Sequence, residues 1–129
     1  MAARSCDITV INWSAHTLTR KDMQLSHGEF SHNGKDVPPE HIAAVHLDGD
    51  GNAVPGTAHW ASESDGFATG TEGTCKYTSS KGGAFAAHWN DPFVGGNDLN
   101  VSVPKGLRAE FGDISGNQMA VTITIRKRT

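Results

Sequence analysis

Apolar and polar residues alternate with a period of two through most of this chain, and no window of helical length sustains a 3.6-residue period. The last run is the clearest: Met119, Val121, Ile123 and Ile125 face one way, and Gln118, Ala120, Thr122 and Thr124 the other. Near the start, residues 7–12 place Ile8 and Val10 on one face and Thr9 and Ile11 on the other, before Trp13-Ser14-Ala15-His16 turns the chain. A short strand is predicted over residues 17–20, and Met23 and Leu25 alternate up to Ser26-His27-Gly28. Residues 31–36 form a loop tip with an Asn-Gly turn signal. Val37-Pro38-Pro39 imposes an extended connection, because proline has no N–H to give to a ladder. Strands are predicted over residues 42–47 and 57–62, with the turn-rich Asp48-Gly49-Asp50-Gly51-Asn52 between them.

Three further runs, 73–77, 84–89 and 98–103, are set off by glycine-rich or proline-containing turns. Phe85, Ala87 and Trp89 share one face of the middle run, which marks Trp89 as core. Leu107, Ala109 and Phe111 then alternate with Arg108 and Glu110. About nine short, mostly antiparallel strands in a single domain spanning residues 1–129 predict an all-β fold, a two-sheet β-sandwich. One loop breaks the usual pattern. Asn90-Asp91-Pro92-Phe93-Val94-Gly95-Gly96 carries two apolar side chains between backbone breakers, so Phe93 and Val94 either fold onto the core or are offered to something apolar outside.

Composition narrows the class. With 36% hydrophobic and 19% charged residues the chain is neither disordered nor membrane-spanning, and it has no run of about eighteen apolar residues. The opening MAARSCDITV has no apolar leader core, so the expectation is a soluble protein, cytoplasmic or released by a leaderless route. A net charge of −3 makes no electrostatic case for nucleic acid. Arg126-Lys127-Arg128 is the only basic cluster in the sequence, a solvated chain end or a contact for anionic head groups. Cys6 and Cys75 lack metal or redox spacing and read as two buried free thiols, with a single disulfide as the alternative.

Motifs with mechanical content are scarce. Asp48, Asp50 and Asn52 copy the start of a calcium loop, but Ala53 stands where the glycine belongs and His59 where the bidentate Glu belongs, so a plain turn is expected. Seven histidines include no ligand pair, and neither a metal nor another cofactor is predicted. Ser62, Ser64 and Asp65 lie near His59 in sequence without a nucleophile elbow, and no catalytic frame emerges. Gly70-Thr71-Glu72-Gly73 has the glycines of a phosphate loop without its lysine or its helix.

At these residues the chain resembles the small β-sandwich cytolysins, the actinoporins and the aegerolysins. Ala68-Thr69-Gly70, Gly73 and Tyr77, then Pro92-Phe93, are similar to the actinoporin segment leading to its membrane-facing strands. Leu25 to Phe30, Gly70-Thr71-Glu72-Gly73 and Trp89-Asn90-Asp91-Pro92-Phe93 resemble aegerolysin motifs, and the ordered series covers nearly the whole chain. The resemblance implies a protein that binds a phospholipid or sphingolipid head group through loops at one end of the sandwich. Phe67, Phe93 and Val94 would dip into the membrane, with Trp60 or Trp89 near the rim. Thr69, Thr74 and Asn90 would hydrogen-bond the head group in a groove beside Pro92, and Glu72 would pair with a cationic amine. Two departures count. The first strand begins near Asp7, leaving no room for the actinoporin pore helix, so pores would need a partner protein. His27 and Phe93 also stand where aegerolysins carry lipid-facing Trp, which should weaken or redirect binding. The alternative is a carbohydrate-binding, lectin-like module on the same fold, with Trp13 exposed for stacking on sugars.

Overall fold

The computed structural model describes residues 3–129. Twelve strands and one helical turn follow in the order β1 Ser5–Asn12, β2 Leu18–His27, β3 Glu29–Phe30, the turn Ser31–Gly34, β4 His41–Ile42, β5 His46–Leu47, β6 Ala53–Val54, β7 Gly56–Glu63, β8 Thr71–Ser79, β9 Ala84–Asp91, β10 Asp98–Ser102, β11 Leu107–Phe111 and β12 Gln118–Lys127. They form a five-stranded sheet in the order β11-β12-β1-β7-β3, a second in the order β10-β9-β8-β2-β4, and a small β5–β6 hairpin. The two larger sheets make the expected sandwich. All pairings are antiparallel except that of β1 with β12, which run parallel with Ile8 opposite Val121 and Val10 opposite Ile123.

Period-two alternation places the core where the sequence puts it. Ile8 and Val10 from β1, Met119, Val121, Ile123 and Ile125 from β12, and Phe85, Ala87 and Trp89 from β9 are all buried. Trp60 on β7 meets Trp89 on β9 across the sandwich with ring centroids 5.7 Å apart, and Tyr77 lies 5.8 Å from Phe85. Each such side chain contributes about 1.5–3 kcal/mol by leaving water. Cys6 and Cys75 are buried free thiols in opposite sheets. Burial pushes both thiol pKa values up, that of Cys75 to about 12, so both are poor nucleophiles.

Two elements differ from the sequence reading. The two short strands expected before Gly28 are one ten-residue strand, β2, with register shifts between Arg20 and Asp22 and between Leu25 and His27. A bulge adds one residue and flips the faces, which is why inward Leu18 is even-numbered while half-buried Met23 and Leu25 are odd. The strand expected over residues 42–47 splits: β4 joins β2 in the second sheet, whereas β5 pairs only with β6. Between them the chain is tied to the β1 end, because the buried Asn12 amide donates to the Ala43 carbonyl at 2.9 Å and Val45 N–H donates to Ser14 O at 2.9 Å. The turn signalled by Asn33-Gly34 is present. His32, Asn33 and Gly34 all take left-handed φ values of 54°, 58° and 81°, and this reverses the chain after β3.

The strands define two ends. At one lie the connections after β7, β9 and β11; at the other lie those after β1, β8 and β10, together with the end of β12.

Candidate functional site

The β9–β10 connection, residues 92–97, projects from the first of these ends. Val94 is 82% exposed and Phe93 40%, and on the neighbouring β7–β8 connection Phe67 is fully exposed. Phe93 is nevertheless not loose. Arg4, just before β1, donates from Nη2 to the Phe93 carbonyl at 2.8 Å and from Nε to the Pro92 carbonyl at 3.2 Å. Its guanidinium carbon lies 4.8 Å from the centre of the Phe93 ring, a cation–π contact. Asn97 Nδ2 holds the far end of the loop by donating to the carbonyls of Ile114 and Gly116.

Gly70 lets the two apolar loops touch. A Cβ there would come within 2.6 Å of the Asp91 carbonyl and 2.7 Å of Pro92 Cα. Gly73 presses equally closely on the Trp89 ring. The glycines of Gly70-Thr71-Glu72-Gly73 thus serve close packing. Thr69 is occupied in its own loop, its hydroxyl donating to Gly66 O at 2.8 Å and accepting from Gly66 N–H, in the turn that presents Phe67.

Cavities open around Phe93. One of about 400 Å³ is lined by His27, Thr69, Glu72, Asn90, Pro92 and Phe93. On its floor Glu72 accepts from His88 Nε2 at 2.7 Å and lies 4.0 Å from His27 Nε2. The carboxylate expected to meet a cationic amine therefore already has imidazole neighbours, and a ligand amine would have to share it. A second cavity, of about 510 Å³, runs between Phe67 and Phe93 and carries the carboxylates of Glu29, Glu63 and Asp65. A third, of about 190 Å³, lies between Arg4, Asp91 and the loop of residues 115–117. Beside it Asp91 is buried, with Oδ2 lacking a hydrogen-bond partner. Burial raises its pKa from 3.8 to about 6, against the opposing pull of Arg4 and of the Met119 and Ser5 amides.

Of the residues singled out in the sequence, Thr69, Glu72, Asn90, Pro92 and Phe93 converge on one cavity, Phe67 lines the adjoining one, and Val94 caps the rim. Thr74 lies elsewhere. Opposite His88 in the ladder, it points to the outer face of the second sheet, into a shallow groove of about 440 Å³ with Asp22, Lys76, Ala86 and Asn100. Trp60 and Trp89 belong wholly to the core, and Trp89 Nε1 donates to Ser62 Oγ at 2.9 Å. That inward hydroxyl also removes Ser62 from His59, which pairs with Asp7 on the outside of the same sheet. Asp48 Oδ1 accepts from the amides of Asp50 and Asn52, so its carboxylate closes its own turn. Trp13 is half-buried. Arg4 and His88 were not legible as site residues, since Arg4 meets Pro92 and Phe93 from 88 and 89 residues away and His88 meets Glu72 only through the β8–β9 pairing.

Taken together, this is a β-sandwich with a loop-built end in which apolar side chains ring polar cavities. The aegerolysin family model matches residues 3–128, and the chain belongs to the aegerolysin family. Among solved structures it is similar to RahU, crystallised in complex with a TRIS molecule, at 17% identity and a TM-score of 0.69 over 100% of this chain and 98% of that one. IP-1A from Alcaligenes faecalis is similar at 18% identity and a TM-score of 0.64, over 99% and 94%. The lipid binding protein Nakanori gives 14% identity and a TM-score of 0.69, over 95% and 71%. These likenesses establish the fold. Among curated proteins, none matches the chain by sequence.

Proposed function

We propose that this protein binds membranes by inserting Phe67, Phe93 and Val94 into the bilayer interface while a phospholipid or sphingolipid head group enters the cavities beside Phe93. The observation that carries this reading is the exposure of three apolar side chains at one end, two of them on a loop anchored by Arg4. Such a rim costs solubility unless something apolar covers it. The aegerolysin match, and a structural neighbour described as lipid binding, support the same direction. Within the cavities, Asn90 offers a polar contact, and Glu72, Glu63 and Asp65 favour a head group with a cationic end. No helix among the described residues is long and apolar enough to cross a membrane, a statement that leaves strands aside. We assign binding to this chain and pore opening to a partner protein.

The test is co-sedimentation with vesicles of varied composition, sphingolipid-containing ones included, read together with dye release. Binding to at least one composition is expected, with no dye release by the protein alone. The Phe93→Ser, Val94→Ser double variant should bind about 100-fold more weakly, as the loss of two inserted apolar side chains implies. A folded double variant that sediments like the parent would remove the proposal. A lectin-like second reading draws on the outer groove, where Thr74, His88, Asn100 and Ser102 can meet sugar hydroxyls. Glycan binding that Asn100→Ala abolishes, with no vesicle binding, would favour it.

A further inference from the structure

The end of the sandwich opposite Phe93 carries a different chemistry. Lys81 on the β8–β9 turn, Lys105 on the β10–β11 turn and Lys127 at the end of β12 come from three separate segments and line one cavity of about 310 Å³. His16 forms part of its wall, and Ala15 and Leu107 supply an apolar surface. No carboxylate lines it, and none lies within ion-pair distance of these lysines among the described residues. The neighbouring arginines are accounted for differently. Arg126 and Arg108 both pair with Glu110, while Arg128 donates from Nε to the Leu107 carbonyl and from its amide to Gly106 O, fixing the chain end against the cavity.

The cavity wall is built. His16 Nδ1 is hydrogen-bonded to Ser79 Oγ at 2.5 Å, and Thr17 and Ser80 exchange hydrogen bonds, so the β1–β2 and β8–β9 turns are tied together. Its cationic field is felt by His16, whose pKa is lowered first by burial and then by Lys81. Uncompensated like charges repel, and in a chain of net charge −3 their convergence follows from no general basicity. An anion would relieve the repulsion. Lysine ammonium groups are compact point charges suited to phosphate oxygens, and three set on separate segments can meet more than one phosphate. The volume exceeds that of a lone phosphate and lies within the range of small-molecule sites.

We propose that this cavity is a second binding site, independent of the Phe93 rim, for a phosphate-bearing polyol of about one ring in size. Lys81, Lys105 and Lys127 neutralise the phosphates, and Leu107 and Ala15 contact the ring. The ligand is either a soluble phosphate ester or the head group of a phosphorylated lipid.

Calorimetric titration with inositol trisphosphate, with myo-inositol as the neutral control, tests the site. Binding of the trisphosphate alone is expected, weakening as salt is raised. Lys81→Gln and Lys105→Gln should each lower affinity about ten-fold, the scale of one charge-assisted contact. Lys35→Gln, at a distant exposed lysine, should change nothing, and the Phe93→Ser, Val94→Ser variant should bind the trisphosphate unchanged. A parallel arm uses vesicles containing phosphatidylinositol bisphosphate. If only vesicles bind, through the same lysines and with the Phe93 rim mutated, the site stands and its phosphate is lipid-borne. Equal weakening by Lys35→Gln would overturn the proposal, as would failure of both probes.

Discussion

The two ends of this sandwich are made from the same strands yet display opposite chemistry. At one, Phe67, Phe93 and Val94 stand in water above cavities containing Glu29, Glu63, Asp65 and Glu72. At the other, lysines surround a cavity without carboxylates. The ends also differ in how they are held. The Phe93 loop depends on close backbone packing and on long-range ties such as Arg4 to Phe93, 89 residues apart in sequence. On the short lysine turns Gly82 and Gly106 have nothing within 4 Å of where a Cβ would stand, although Gly83 packs against Pro104. A rigid rim and open turns suit different ligands. Inserting apolar side chains at fixed height requires a braced loop, whereas mobile ammonium groups adjust to phosphates.

The largest effect should come from glycine replacement at the two ends. Gly70→Ala places a methyl against the Asp91 and Pro92 backbone, which cannot retreat without moving the rim, and should cost about 3 kcal/mol. Gly82→Ala meets only the penalty of its positive φ, about 1 kcal/mol. Chemical denaturation of the pair measures the difference, and equal costs would mean that the rim is no more tightly built than the turns.

Next comes pH. The Asp91 carboxyl has a folded pKa of about 6 against an ordinary 3.8. Below both values the two states carry the proton equally. As pH rises from about 4 to 6 the unfolded chain releases it first, so native stability falls. Asp91→Asn should flatten this slope and raise the melting temperature at pH 7. Melting curves between pH 4 and 7 check both, and an unaltered slope would place the titration elsewhere.

The smallest effect expected is that of Arg4→Gln. It removes the cation–π contact and loosens the hydrogen bonds to the Pro92 and Phe93 carbonyls, at about 1 kcal/mol of stability. It should lower vesicle affinity while leaving trisphosphate binding intact, so the two titrations read side by side show whether the ends are independent.

Much of this arrangement was legible in the sequence where the physics is local. Period-two alternation located the core faces of β1, β9 and β12, and the apolar Phe93-Val94 pair between Pro92 and Gly95 marked the rim. Non-local features were not legible. The bulge in β2 disguised a single strand as two, because one added residue reverses every face after it. The break between β4 and β5 depends on the Asn12 amide capturing the Ala43 carbonyl, a contact 31 residues apart. The resemblance placed Thr74 at the head group, but it shares the outer face with Glu72 and lies two residues further along β8, opposite His88 and outside the rim cavity. The lysine cavity has the same origin. Only Lys127 lies in the basic run of the sequence, and Lys81 and Lys105 join it through the fold.

The most direct test of the proposed membrane orientation places a nitroxide label at Val94→Cys or Lys81→Cys and measures its accessibility to aqueous and lipid-soluble relaxation agents on vesicles. Cys6 and Cys75 should not interfere, since both are buried with raised thiol pKa values. On binding to vesicles without phosphorylated inositol lipids, the label at position 94 should become shielded from the aqueous agent and open to the lipid-soluble one. The label at position 81 should remain in water. Shielding at 81 with 94 still aqueous would reverse the orientation and contradict the account.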